Sequence, residues 1–133
     1  MAPSPDPHLL GELERAVLEH LWVARRGDAK DVHAAIGRRR GITLNTIQST
    51  LKRLYEKRLL RREKVSHAHV YVPAIDRDGF ERAALDHTVE QVLGGRKDAM
   101  IAAFVDLTAR AGDEQLAKLE ALVAAKRRER ARR

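Results

Sequence analysis

The stretch Asn45-Thr46-Ile47-Gln48-Ser49-Thr50-Leu51-Lys52-Arg53-Leu54-Tyr55-Glu56-Lys57 decides how this chain is read. Ile47, Leu51 and Leu54 recur at helical spacing and predict a buried face that Thr50 can join. The opposite face carries Thr46, Gln48, Ser49, Lys52 and Arg53, polar at its start and basic toward its end. Asn45 is read as the helix N-cap, with Gln48 three residues on in a capping-box-like pair. A helix fills the major groove of B-DNA, and its exposed side must then offer hydrogen-bonding groups to base edges. Asn45, Thr46, Gln48 and Ser49 stand at the N-terminal end, where such helices reach bases. Lys52 and Arg53, a turn later, suit phosphate or guanine.

Upstream, two more helices are expected. Leu9–Ala24 places Leu10, Leu13, Val17 and Leu21 on one stripe, widened by Leu18 and Trp22, and Arg25-Arg26-Gly27 ends it. Asp28 is a good N-cap for a short second helix that buries Val32, Ala35 and Ile36. Asp31 sits where negative charge suits the helix dipole. Gly37 or Gly41 stops this helix, and Arg38-Arg39-Arg40 lies in the link.

Downstream, Leu60–Val65 and Ala68–Val72 read as two strands joined at Ser66-His67, with Pro73 closing the hairpin. Val70 and Val72 fall on one face, His69 and Tyr71 on the other. Three helices followed by a basic hairpin is the order of a winged helix-turn-helix. Arg61, Arg62, Lys64 and His67 on the hairpin can straddle a phosphate backbone. From Arg38 to Lys64 there are ten basic and two acidic residues.

After Pro73 the pattern is purely helical. Asp76–Leu93 stops at Gly94-Gly95, Arg96–Arg110 follows, and Gly112-Asp113 starts a last helix that leads into Lys126–Arg133. These segments hold more apolar positions than three short helices can bury among themselves. Phe80, Val89, Val92, Leu93, Met100, Ile101, Phe104, Leu116, Leu119, Leu122 and Val123 are therefore expected either to meet a partner or to fold back on the first domain. The expected architecture is mainly α. It comprises a leader over 1–8, a winged DNA-binding domain over 9–73, a helical dimerisation domain over 74–125 and a basic tail over 126–133.

Charge follows the same division. Residues 1–73 hold 14 Lys/Arg and 8 Asp/Glu, residues 74–125 hold 6 and 10, and residues 126–133 hold 6 and 1. A basic front before an acidic middle points to a polyanion, for which nucleic acid is the usual candidate. The longest uncharged apolar run, Ala99–Val105, is too short to cross a membrane. Nothing in the first twenty residues reads as a signal peptide, so a cytoplasmic protein without membrane insertion is expected. The chain has no cysteine, which excludes disulfides, thiolate metal sites and cysteine nucleophiles.

Catalysis finds no constellation. Ser4, Ser49 and Ser66 lie outside any Gly-x-Ser-x-Gly elbow, and Gly94-Gly95 lacks Walker or Rossmann spacing. His67 and His69 on one strand face, with Glu63, would make at most an incomplete zinc site, so neither metal nor cofactor is expected. His20, His33 and His87 lie on separate helices with no partner pattern.

Leu10-Gly11-Glu12-Leu13-Glu14…Val17…Leu21-Trp22 resembles the opening of the penicillinase repressor, methicillin-resistance repressor and copper-transport repressor family (BlaI/MecI/CopY). The Asn45–Lys57 helix resembles its recognition helix, and His69-Val70-Tyr71-Val72-Pro73 its second wing strand. Leu93-Gly94-Gly95 and the Met100–Phe104 block resemble its hinge into the last helices. The resemblance covers roughly residues 9–125. It implies a homodimeric repressor, each winged domain reading one half of a palindromic double-stranded operator. It also implies release by a membrane sensor protease system that cuts an Asn–Phe bond in the dimerisation region. Here the matching pair is Ala103-Phe104, so the phenylalanine is kept and the asparagine is not. The cysteine-rich metal hook of the copper-type relatives is absent. Two alternatives stand beside this reading. One is a DNA-binding regulator that senses a small molecule directly. The other is a basic module for RNA or an acidic protein, against which the small number of aromatics counts.

Overall fold

The computed structural model describes residues 10–133; the leader over 1–8 and Leu9 lie outside the described residues. Helix α1 spans Glu12–Ala24. Its stripe of Val17, Leu18 and Leu21 is fully buried. Arg25 ends it by taking a positive φ of 77° while its N–H reaches back to the Leu21 carbonyl at 2.8 Å. Gly27 then runs extended beside the hairpin, exchanging two backbone hydrogen bonds with Tyr71.

Helix α2, Ala29–Val32, is capped as its sequence promised. The Asp28 carboxylate accepts from the Asp31 N–H at 2.8 Å, and the Asp31 carboxylate accepts from the Asp28 N–H at 3.0 Å. The helix widens into one π-turn over His33–Gly37 before Gly41, at φ 67°, turns the chain. His33 spans this turn, its Nε2 lying 2.9 Å from the Ile42 carbonyl. A carbonyl only accepts, so Nε2 carries the proton there.

Helix α3 spans Leu44–Glu56, so its cap is Thr43 and not Asn45. The Thr43 hydroxyl oxygen accepts from the Thr46 N–H at 3.2 Å. Thr43 holds extended backbone angles, as a cap must, whereas Asn45 is already inside the first turn. The buried face is as expected: Ile47, Thr50, Leu51 and Leu54 are all at 0% exposure. The helix closes in a Schellman arrangement. Arg58 takes φ 65°, its N–H bonds the Tyr55 carbonyl, and the Leu59 N–H bonds the Leu54 carbonyl.

Strands β1, Leu60–Val65, and β2, Ala68–Pro73, pair antiparallel with Arg62 opposite Tyr71 and Lys64 opposite His69. Ser66 and His67 form the two-residue turn, with Ser66 at φ 59°, the positive value that suits the strand twist. Tyr71 points into the core at 5% exposure, and Leu60 from the other strand joins it. Three helices and this wing form the winged helix-turn-helix that the sequence implied.

Helix α4, Arg77–Leu93, begins after Asp76, whose carboxylate accepts from the Gly79 N–H at 2.7 Å. Phe80 is 5% exposed and its ring lies 5.5 Å from that of Trp22, whose indole N–H donates to the Ile75 carbonyl at 2.9 Å. Phe80, expected at a dimer contact, is therefore already used in the core built on α1. The chain divides into two compact units, one through His87 and one from Thr88 to Arg133, a later division than the one expected at Pro73.

In the second unit, Gly94 and Gly95 both take positive φ and separate α4 from α5, Lys97–Ala111. Helix α6 spans Asp113–Ala131 and packs along α5. Neither helix has a buried residue. The run 126–133, read as a basic tail, is helical through Ala131 as the end of α6. Alanine, arginine, lysine and glutamate are all good helix formers, and a helix once started extends at little cost.

Candidate nucleic-acid interface

With one side of α3 fully buried, its other side is fixed in what it shows. Asn45, Thr46, Gln48, Ser49, Lys52 and Arg53 are all exposed. Because Thr43 caps the helix, the Asn45 side chain is free of that duty and stands at the exposed N-terminal turn. Thr46 is less free, since its hydroxyl accepts a bond from the Thr43 hydroxyl at 3.0 Å. Ser49 donates to the Asn45 carbonyl at 3.1 Å, which leaves its lone pairs available. Arg53 leans across the helix, its Nη2 donating to the buried Thr50 hydroxyl at 3.3 Å. That hydroxyl in turn donates to the Thr46 carbonyl at 2.8 Å. Gln48 and Lys52 are both exposed and lie one helical turn apart.

The wing is brought beside this face. A groove of about 710 Å³ lies between α3, the start of α2 and the hairpin. It is lined by Gln48 and Lys52 from α3, Lys30 from α2, and Arg62, His67 and His69 from the wing. Asp28 is the one carboxylate lining it, and that carboxylate is occupied by the α2 cap. The groove thus gathers cations from three elements.

Arg62 does not hang free. Its guanidinium stacks 4.0 Å over the Tyr55 ring, which holds a long flexible side chain at the groove wall. Lys64 is exposed near the wing tip. His67 sits in the turn itself and not on a strand, so the alternation that would align it with His69 does not apply. Among the described residues no three His, Cys, Asp or Glu side chains converge as metal ligands.

Lys30 is a groove residue that the sequence did not single out. No periodicity links it to Lys52; only the α2–α3 packing does. The aromatics are also placed differently from expectation. Tyr71 is buried, and Tyr55, 38% exposed, carries the Arg62 guanidinium 4.0 Å over its ring. The candidate partner-binding side chains of the second unit are open. Val92, Ile101, Leu122 and Val123 are exposed, and Val89, Leu93, Met100, Phe104, Leu116 and Leu119 are half-buried. No described helix is long and apolar enough to cross a membrane.

The model of the penicillinase repressor family matches residues 10–125. The transcriptional regulator BlaI of Mycobacterium tuberculosis is 34% identical over 122 residues, covering 78% of this chain and 88% of the relative. The same figures hold for strains CDC 1551 / Oshkosh and ATCC 25618 / H37Rv. Among solved structures, disulfide-formed AbfR aligns with a TM-score of 0.42 at 14% identity, over 77% of this chain and 71% of that one. A C30AH42A mutant of Lactococcus lactis ZitR aligns with a TM-score of 0.43 at 13% identity, over 96% of this chain and 80% of that one.

Proposed function

The chain belongs to the penicillinase repressor family, DNA-binding transcriptional repressors and not enzymes, and on that premise we propose how it engages its operator. It acts as a homodimer on a palindromic site, one winged helix to each half. Asn45, Thr46, Gln48 and Ser49 read base edges in the major groove. Lys52, Arg53, Arg62 and Lys64 hold phosphates, with His67 at the wing tip against the backbone. The observation that carries this reading is the exposed polar face of α3, backed by four fully buried residues and flanked by a cationic groove. A rigid helix with an open face lets base contacts form without a further ordering cost.

The second copy follows from the second unit, whose two full helices bury nothing while Ile101 and Leu122 are 57% and 60% exposed. A symmetric pairing of these faces would match a palindrome. Release, on this reading, is loss of that pairing through proteolysis in the second unit. Ala103–Phe104 lies inside α5, with the Phe104 carbonyl accepting from the Thr108 hydroxyl at 2.7 Å. Cleavage there requires local unwinding and a protease, held in a membrane sensor system, that accepts alanine before the bond.

The test is fluorescence anisotropy with the DNA upstream of the gene against a scrambled duplex, at two salt concentrations. Two protomers per specific site are expected. Gln48→Ala should lose about 1–3 kcal/mol on the specific site only. Lys64→Ala should weaken both duplexes alike and make log K less steep in log salt by about one. Equal losses on both duplexes for Gln48→Ala would remove α3 from base readout.

A further inference from the structure

The family match ends at residue 125, but α6 continues to Ala131. The added turns carry Lys126, Arg127, Arg128, Arg130, Arg132 and Arg133 against one acid, Glu129, and every one of these side chains is exposed. Glu129 is shared by Lys126 and Arg133, each at 3.4 Å. Arg127, Arg128, Arg130 and Arg132 have no acidic partner among the described residues. Arg132 only reaches the Arg128 carbonyl, at 3.4 Å.

This is more positive charge than the helix itself calls for. The C-terminal dipole favours cations in the last turn. It does not account for four unpaired arginines over nearly two turns, where Arg127–Arg130 and Arg128–Arg132 stand at spacings at which like charges repel. The repulsion is relieved by a dense anion. The rest of the second unit does not supply one in a single strip, since its six acids between Thr88 and Ala125 are interspersed with four bases. Duplex DNA carries one negative charge per about 1.7 Å of axis, and the helical part of the basic run, Lys126–Ala131, is about 9 Å long. At 100° per residue Arg130, Arg127, Arg128 and Arg132 spread over about 200° of the helix, so a phosphate strand laid along that side meets two or more of them.

We propose that the basic end of α6 is a second, sequence-independent DNA contact, which clamps the phosphate backbone outside the bases read by α3. It rests on the repressor reading only in taking DNA as the polyanion. It adds affinity and salt dependence without adding specificity.

The experiment compares the full chain with a variant in which Arg127, Arg128, Arg130 and Arg132 are all glutamine, a residue that keeps the helix. Circular dichroism confirms that helix content is retained. Anisotropy titrations on the operator duplex and on a scrambled duplex run from 50 to 200 mM salt. With two phosphate contacts per protomer, the slope of log K against log salt should become shallower by about two for each protomer bound. At 50 mM that corresponds to roughly ten-fold or more weaker binding per protomer, equal on the two duplexes. Unchanged slope and affinity on both duplexes overturn the proposal. So does a loss confined to the operator, which would make the arginines part of base readout. Binding of the full chain to phosphatidylserine vesicles that the variant loses, with DNA slopes unchanged, overturns it in favour of a membrane surface. If the full chain itself fails to discriminate the two duplexes, the operator reading fails, while the slope comparison still decides this one.

Discussion

Glu14 and Lys57 bind the first helix to the end of α3, and their coupling can be measured. Glu14 lies in the first turn of α1, where one carboxylate oxygen accepts from the Gly11 N–H at 3.2 Å. The other accepts from the Lys57 ammonium at 2.7 Å. The two side chains are only 11% and 25% exposed, so solvent screens them poorly. Exposed pairs couple by about 0.2–1 kcal/mol, while removing one partner of a fully buried pair costs about 3–5 kcal/mol. This pair lies between those limits, and a coupling of about 1–2 kcal/mol is expected. Glu14→Gln keeps an oxygen for the Gly11 N–H and removes only the charge, which isolates the ionic part. Lys57→Met keeps most of the stem. The double-mutant cycle is read from urea unfolding at one fixed protein concentration, because an oligomer's stability depends on it. Arg15–Glu19 is the internal control: its Nε–Oε1 distance is 3.2 Å, but its side chains are 56% and 41% exposed. Its cycle should give no more than about 0.5 kcal/mol and should vanish in 1 M salt, where the Glu14–Lys57 coupling should largely persist. Equal couplings for the two pairs would refute the reasoning that burial makes the difference.

Three further substitutions have definite expected outcomes. Arg58→Gly should stabilise the protein by about 0.5–1 kcal/mol, because Arg58 holds φ 65° at the position where a Schellman motif favours glycine; a lower urea midpoint would contradict this. Gly37→Ala should destabilise by about 1–3 kcal/mol, since an added Cβ would lie 2.6 Å from the His33 ring and 3.3 Å from Ile47; a wild-type thermal midpoint would show that the π-turn yields freely. Leu122→Glu, at a site 60% exposed, should leave α6 helical by circular dichroism yet convert the proposed dimer to monomer in sedimentation velocity, with operator affinity falling at least ten-fold; a dimer of unchanged mass would remove this face from the proposed pairing.

The core was legible because periodicity reports burial directly: Val17, Leu18 and Leu21, then Ile47, Leu51 and Leu54, lie on the stripes and are buried, while Leu10, Leu13 and Trp22 of the first stripe pack half-buried against them. What was not legible turns on competition between equals. The segment Thr43-Leu44-Asn45-Thr46 offers two good caps, and the outcome depends on which residue takes extended angles. Thr43 does, and Asn45 is thereby moved from a structural task to the exposed face. Tyr71 alternates with Val70 and Val72, and alternation names two faces without saying which is inside. Its pairing with Gly27, a residue that reads only as a helix stop, helps to place it in the core. The groove needed tertiary structure as well, since Lys30, Lys52 and His69 are distant in the chain. At residues 126–133 two true tendencies opposed each other, charge repulsion against helix propensity, and the helix already running through Leu122 and Val123 decided it.

The two units divide the work in a way that explains why damage to the second would be felt at the operator. The first unit has its own core behind the exposed face of α3. The second has helices of 15 and 19 residues with no fully buried residue, Met100, Phe104, Leu116 and Leu119 being only half-buried. Covering a large aliphatic side chain is worth about 1.5–3 kcal/mol when complete, so most of the second unit's gain from burial comes only with the second copy. On the dimer reading its order and its pairing are one event. A single winged domain then holds one half-site with half the phosphate contacts. The paired chain binds its second half-site intramolecularly, at an effective concentration far above that of free protein. A break or charge placed in α5 or α6 touches no base and no phosphate at α3. It lowers occupancy by turning one bivalent encounter into two weak ones, and the first unit stays folded throughout.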